Sequence, residues 1–168
     1  MIGRSWLVGL LTLLIGAAGL VTGPAEAHAQ NPAPWSACPA NRPDDALVRT
    51  FPVNARLNYY LRCGNVDKGV RHVVARHRGD FQRVAFNTGL TWVAVADLTM
   101  ETIARDPDVA IPAGGGKACL SRVIFLRNDH TNQVVRSQVF RMIVIVSTGE
   151  VITAYPHSKQ CQPGDTSE

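Results

Sequence analysis

What this chain lacks narrows its chemistry first. No Gly-rich fingerprint leads into a helix: Gly114-Gly115-Gly116 sits in a loop ahead of a strand and supplies slack, which argues against a nucleotide-cofactor cradle. No Gly-x-Ser-x-Gly elbow and no His-Glu-x-x-His pair occurs, so the common serine-hydrolase and zinc-protease signatures are missing. The four cysteines include no two at the short intervals of a structural zinc site. No internal repeat divides the chain. Charge is also sparse: charged residues make up 18% and the net formal charge is +4. A surplus of that size favours anionic partners such as nucleic acid or acidic polymer, and many exported domains carry as much for solubility alone.

One long apolar stretch is present, and it stands at the N-terminus. Arg4 precedes an uncharged run from Ser5 to Ala25 that contains Leu10-Leu11-Thr12-Leu13-Leu14-Ile15, and Ala27-His28-Ala29 follows with small residues where a signal peptidase reads. Residues 1–29 are therefore expected to be a signal peptide cleaved after Ala29, with cleavage after Ala27 as a second candidate. A retained membrane anchor is the rival reading. Gly3, Gly9, Gly16, Gly19, Gly23 and Pro24 interrupt the run and speak against it. Cleavage would remove Arg4 and Glu26 together and leave the charge unchanged. In an exported protein an even cysteine count reads as two disulfides among Cys38, Cys63, Cys119 and Cys161. Three pairings are open, and each closes at least one long loop, worth roughly 3–5 kcal/mol by chain entropy.

The rest of the chain reads as one α+β domain. Residues 30–43, rich in Pro, Ala and Asn, form an irregular leader; residues 44–162 form the domain; residues 163–168 form a disordered tail. Pro52 allows at best a short helix on each side of itself between Asp44 and Arg62. Val70, Val73 and Val74 give Gly69–Arg78 the spacing of a short helix. Trp92, Val95, Ala96, Thr99, Met100 and Ile103 define an amphipathic helix that ends before Pro107, and residues 106–117 read as a loop. Leu120–Leu126, Ser137–Ser147 and Glu150–Tyr155 are rich in β-formers and lack helix signals, with a tight turn at Thr148-Gly149. Short helices followed by strands predict helices packed on one face of a C-terminal antiparallel sheet.

The helix at Gly69 carries Arg71, His72, Arg76 and His77, with Arg78 and Arg83 beyond, and the last strand closes with Thr153-Ala154-Tyr155-Pro156. On an α-helix residues five apart diverge by about 140°, so His72 and His77 should face different ways unless the helix ends between them. Thr153 and Tyr155 share a strand face. A cleft holding an imidazole, a guanidinium, a hydroxyl and a phenol suits cleavage of a phosphodiester beside a 2′-hydroxyl. The histidine moves the proton, the arginine offsets the charge on the phosphorane, and the hydroxyls bond the phosphate. Neither metal nor cofactor is needed. Each residue also has a plain reading: His72 as a hydrogen-bonded, half-buried histidine, the arginines as a solvated face, Thr153 and Tyr155 as ordinary β-formers. His130 belongs to a turn beside Asp129, whereas His157 follows the motif strand and is placed to edge the same cleft.

The segments Gly69-Val70-Arg71-His72-Val73-Val74-Ala75-Arg76-His77 and Gly149-Glu150-Val151-Ile152-Thr153-Ala154-Tyr155-Pro156 resemble bacterial toxin ribonuclease domains. Two groups are similar: the pancreatic-ribonuclease-like C-terminal domain of contact-dependent growth-inhibition toxins, with two histidines five apart and a closing Thr-Ala-Tyr-Pro strand, and the broader barnase, EndoU, colicin and RelE-like group. The likeness spans residues 65–156. It implies a ribonuclease acting on RNA without cofactor, with a cognate immunity or inhibitor protein as a further partner; the leader peptide makes the expected enzyme a secreted one, and a monomer is expected. Catalytic roles are implied for His77, Thr153 and Tyr155, with His72 beside them. Arg83 or Arg78 would stand for the pattern's arginine, and Arg71 and Arg76 would add phosphate contacts. The leader peptide and the four cysteines depart from the pattern. The competing expectation is a non-catalytic exported domain that binds cell envelope or a partner protein through its basic face.

Overall fold

The computed structural model describes Trp35 and residues 38–165; the expected signal peptide, most of the expected leader and residues 166–168 of the expected tail lie outside the described residues. The first strands, β1 (Leu47–Pro52) and β2 (Asn58–Arg62), form a hairpin where short helices were expected. Its turn explains the difference. Asn54 Oδ1 accepts the backbone N–H groups of Arg56 and Leu57 at 2.9 and 3.0 Å, and Val53 N–H bonds Leu57 O at 3.0 Å, so the chain reverses instead of coiling. Pro52 falls at the end of its strand, where a missing N–H costs least.

After Cys63 the chain enters a single, irregular helical run. It comprises α1 (Gly69–His72), a π-helical turn (Val73–His77) and α2 (Arg78–Ala85), and so continues seven residues past the expected end at Arg78. Gly69 makes this entry possible. Its φ is +77°, and a Cβ there would stand 2.6 Å from Arg62 O and 2.9 Å from the Cα of Gly64. Helix α3 (Trp92–Arg105) follows the expected periodicity, starting at Thr91, whose hydroxyl accepts the N–H of Ala94 at 3.2 Å, and burying Val95, Ala96, Thr99, Met100 and Ile103.

A four-stranded antiparallel sheet completes the domain, in the order β3 (Val109–Pro112), β4 (Lys117–Arg127), β5 (Val134–Ile145), β6 (Val151–His157). Strand β3 falls within the segment read as a loop. Two prolines and three glycines hide its four residues, yet it pairs in register with β4 from Val109↔Ser121 to Pro112↔Ala118. One face of the sheet, with Leu120, Phe140, Met142, Val144 and Ala154, packs on Val73, Phe81, Val95, Met100 and Ile103 of the helices. That arrangement is the helices-on-sheet α+β fold the sequence predicts. The other face carries Cys119, Ile143, Thr153 and Tyr155, which line up across β4, β5 and β6 and end at the edge strand β6.

Two disulfides tie the ends in, Cys38–Cys63 and Cys119–Cys161. The leader and tail are more structured than the sequence suggests. Trp35 is buried, meets Trp92 edge-on at 5.8 Å and donates to Asp97 at 3.3 Å. Asp165, placed in the tail, pairs with Arg141 at 2.9 Å. No described helix is long and apolar enough to cross a membrane.

Candidate active site

The π-helical turn brings the two histidines together. A π turn bonds i to i+5 and is wider than an α turn, so positions five apart lie much closer in azimuth than on an α-helix, and such turns cluster at functional sites. The ring centroids of His72 and His77 stand 5.4 Å apart, which overturns the divergence expected on a regular α-helix. His77 closes the turn with φ −121° and ψ 0°, near the sparsely populated bridge region, before α2 resumes. Its ring then lies along the ring of Tyr155 on β6, with centroids 4.9 Å apart and planes 23° from parallel.

His72, Arg76, His77, Asp80, Tyr155 and His157 surround one cavity of about 200 Å³. Within it the histidines are oriented by fixed acceptors. His72 Nδ1 lies 2.7 Å from Val66 O; a carbonyl only accepts, so Nδ1 carries the proton and Nε2 is the basic nitrogen of the neutral ring. His77 Nδ1 lies 3.2 Å from Asp80 Oδ2, the same division of roles. Burial holds the pKa of His77 below its ordinary value of 6.5, His72 and Arg76 push it further down, and the hydrogen bond and charge of Asp80 oppose them. Near neutrality His77 is thus an uncharged imidazole that Asp80 keeps in one tautomer. His157 Nδ1 sits 2.9 Å from Lys159 O and 3.1 Å from Lys159 N at the cavity's edge, where its position after the motif strand placed it.

The arginines divide. Arg76 lines the histidine cavity and a second one of about 660 Å³, shared with His72 and reaching Asp67, Lys117 and Ile152. Among the described residues it makes no hydrogen bond or ion pair, so its charge is available. Arg71 is committed elsewhere: it bonds Asp44 Oδ1 and Gly64 O at 2.6 Å, Pro39 O at 2.8 Å and Arg42 O at 2.5 Å, and so fastens the leader to α1. Arg78 lies over the ring of Trp92 at 5.9 Å, outside the cavity. Arg83 pairs with Asp80 and lines a neighbouring groove instead.

Thr153 and Tyr155 share the face opposite the helices, as their alternation requires, but only Tyr155 lines the cavity. Thr153 is fully buried, and its hydroxyl is the one buried side-chain polar atom without a partner among the described residues. Such an orphan costs about 1–3 kcal/mol and is rarely retained without a reason. Asp80 and Lys117 escaped the sequence reading. Asp80 stands three residues after His77, a spacing whose meaning depends on the helix beginning anew at that point; Lys117 follows three glycines and reaches the site only through the sheet. His130 is exposed and pairs with its neighbour Asp129 at 3.4 Å, a loop feature as expected.

Compared with known proteins, the chain matches no family model and no curated sequence.

Proposed function

We propose that this protein is a secreted, metal-independent ribonuclease of the toxin type. The observation that carries the reading is the single cavity in which His72, His77, Arg76 and Tyr155 meet, with one histidine held neutral and tautomerically fixed. His77 Nε2 takes the proton of a ribose 2′-hydroxyl as that oxygen attacks the adjacent phosphorus. The bond to the 5′-oxygen breaks, and the leaving oxygen takes a proton from protonated His72, giving a 2′,3′-cyclic phosphate and a free 5′-hydroxyl. Both protons return through water to restore the starting forms.

Arg76 supplies the positive charge that the dianionic phosphorane needs, in the role the sequence left open among several arginines. Tyr155 supports the ring of His77 and offers its phenol to the phosphate or its ring to a base. The hydroxyl of Thr153 stands one alternation away on the same strand face and has no hydrogen-bond partner among the described residues. Export fits two disulfides, which persist in oxidising compartments. A cognate immunity or inhibitor protein would be the natural partner of such an enzyme in its producer.

Cleavage of RNA in EDTA by the purified, oxidised protein tests the reading. His77→Ala is expected to lose about 10²–10⁴-fold in kcat with the fold intact, and the product should carry a 2′,3′-cyclic phosphate. RNA left intact by the wild type across several pH values, or cut equally fast by His77→Ala, would leave the non-catalytic envelope-binding or partner-binding domain as the better account.

A further inference from the structure

A groove of about 930 Å³ adjoins the histidine cavity and shares Asp80 and His157 with it. Its remaining lining includes Arg83, Phe86, Arg136 and Gln138, from the end of α2 and from the stretch of β5 that extends past the end of β6. Phe86 closes α2 and is 69% exposed. Arg136 is exposed and, among the described residues, forms no hydrogen bond or ion pair. Gln138 is pinned, donating Nε2 to His157 O at 2.6 Å and Val139 O at 3.1 Å, so its amide oxygen remains as a fixed acceptor. An aromatic face, two guanidinium groups and one oriented acceptor in a groove opening from the histidines are the components of a nucleotide site: a base stacks, a phosphate is paired, and a base edge is read.

We propose that this groove is the subsite for the first nucleotide beyond the two joined by the scissile phosphate, which makes the substrate an extended single strand. The inference rests on the ribonuclease reading above and adds to it where the rest of the strand lies. Phe86 stacks the base of that further nucleotide, Arg136 and the outer face of Arg83 meet its phosphate, and Gln138 accepts from the base's amino group. A base held in a duplex cannot reach Phe86, so paired RNA is excluded by geometry.

The test compares the wild type with Phe86→Ala, Arg136→Gln and the double variant on a dinucleotide and on a single-stranded hexanucleotide. Binding of a 2′-O-methylated hexanucleotide, which cannot be cleaved, is followed by fluorescence anisotropy. Both side chains are exposed, so the variants keep the thermal midpoint. The double variant is expected to lose roughly tenfold or more in affinity for the methylated strand and in kcat/KM on the hexanucleotide, while dinucleotide cleavage stays at the wild-type rate. Hexanucleotide values unchanged in the double variant overturn the subsite, as does equally sensitive binding of duplex RNA. If the wild type cleaves neither substrate yet binds the methylated strand through Phe86 and Arg136, the ribonuclease reading fails and the groove stands as a nucleic-acid site. If it does not bind that strand at all, both fail.

Discussion

At the scale of a single residue, the proposed chemistry concentrates on His77. Burial disfavours its imidazolium, Arg76 and His72 act in the same direction, and Asp80 restores part of the loss. The sign of the pH dependence follows. With a folded pKa below 6.5 the ring stays neutral, and so able to accept a proton, to more acid pH than a free imidazole, so the acid limb of kcat/KM should lie below 6.5. In folding terms the unfolded chain takes up this proton first, so His77 lowers stability as pH falls through 6.5 toward its folded pKa. Asp80→Asn removes the one influence that raises the pKa. It is therefore expected to shift the acid limb of the pH–rate profile to still lower pH; a limb that stays put or moves upward would mean that another group titrates. Arg71 shows the opposite lesson. It neighbours His72 in sequence, yet four backbone and carboxylate oxygens absorb its donors, and it is a fastening for the leader.

At the scale of elements, the site depends on one departure from regular helix. Five residues from Val73 to His77 form a π turn, and that extra residue in the turn swings His77 toward the side of His72 and against Tyr155. The approach to this turn is fixed by Gly69, where any side chain would require a positive φ and a contact inside van der Waals distance of Arg62 O. Gly69→Ala is expected to destabilise the protein by about 1–3 kcal/mol and to displace the histidine helix. A denaturant titration measures the first effect, and RNA cleavage at full folding measures the second. Wild-type stability in that variant would show that the hairpin and helix can separate without cost. The edge strand β6 is the other half of the device, since only an edge strand can present Tyr155 and His157 to a helix packed beside it.

Across the whole molecule, the two disulfides divide the labour. Cys38–Cys63 closes a separation of 25 residues and ties the leader to the segment that enters the histidine helix. Cys119–Cys161 closes 42 residues and holds the C-terminal segment across the sheet face opposite the helices, where Arg141 also bonds Lys159 O and Gln160 O at 2.9 and 2.6 Å. Loop-closure entropy gives them roughly 3.5 and 4 kcal/mol respectively. Cys38→Ser/Cys63→Ser and Cys119→Ser/Cys161→Ser should each lower the free energy of unfolding by about that amount, read from urea denaturation under oxidising conditions. The first pair should also weaken cleavage below its unfolding midpoint, because it loosens the approach to Gly69. Equal activity in both pairs at full folding would separate the leader from the site.

The amino-acid order by itself determined the features that depend on local periodicity and residue chemistry. Helix α3 follows from its apolar spacing, the β4–β5–β6 meander from β-branched runs broken at residues 128–133 and Thr148-Gly149, and the pairing of Thr153 with Tyr155 on one face from strand alternation. The number of disulfides follows from cysteine count and context, and the α+β class from the order of the elements. Only the tertiary structure decided the rest. A local pattern cannot report the π turn at Val73–His77, because Val70, Val73 and Val74 keep a spacing that reads as α-helical. It cannot tell which arginine keeps its charge, since Arg71 and Arg76 differ only in which oxygens lie within reach. Strands β1 and β2 were hidden by Pro52, and β3 by its brevity, until their partners supplied the hydrogen bonds that make so short a segment a strand. Asp80, Lys117 and the groove at Phe86 and Arg136 became visible as neighbours of the histidines for the same reason: proximity between distant residues is a property of the packed core, and no stretch of chain carries it alone.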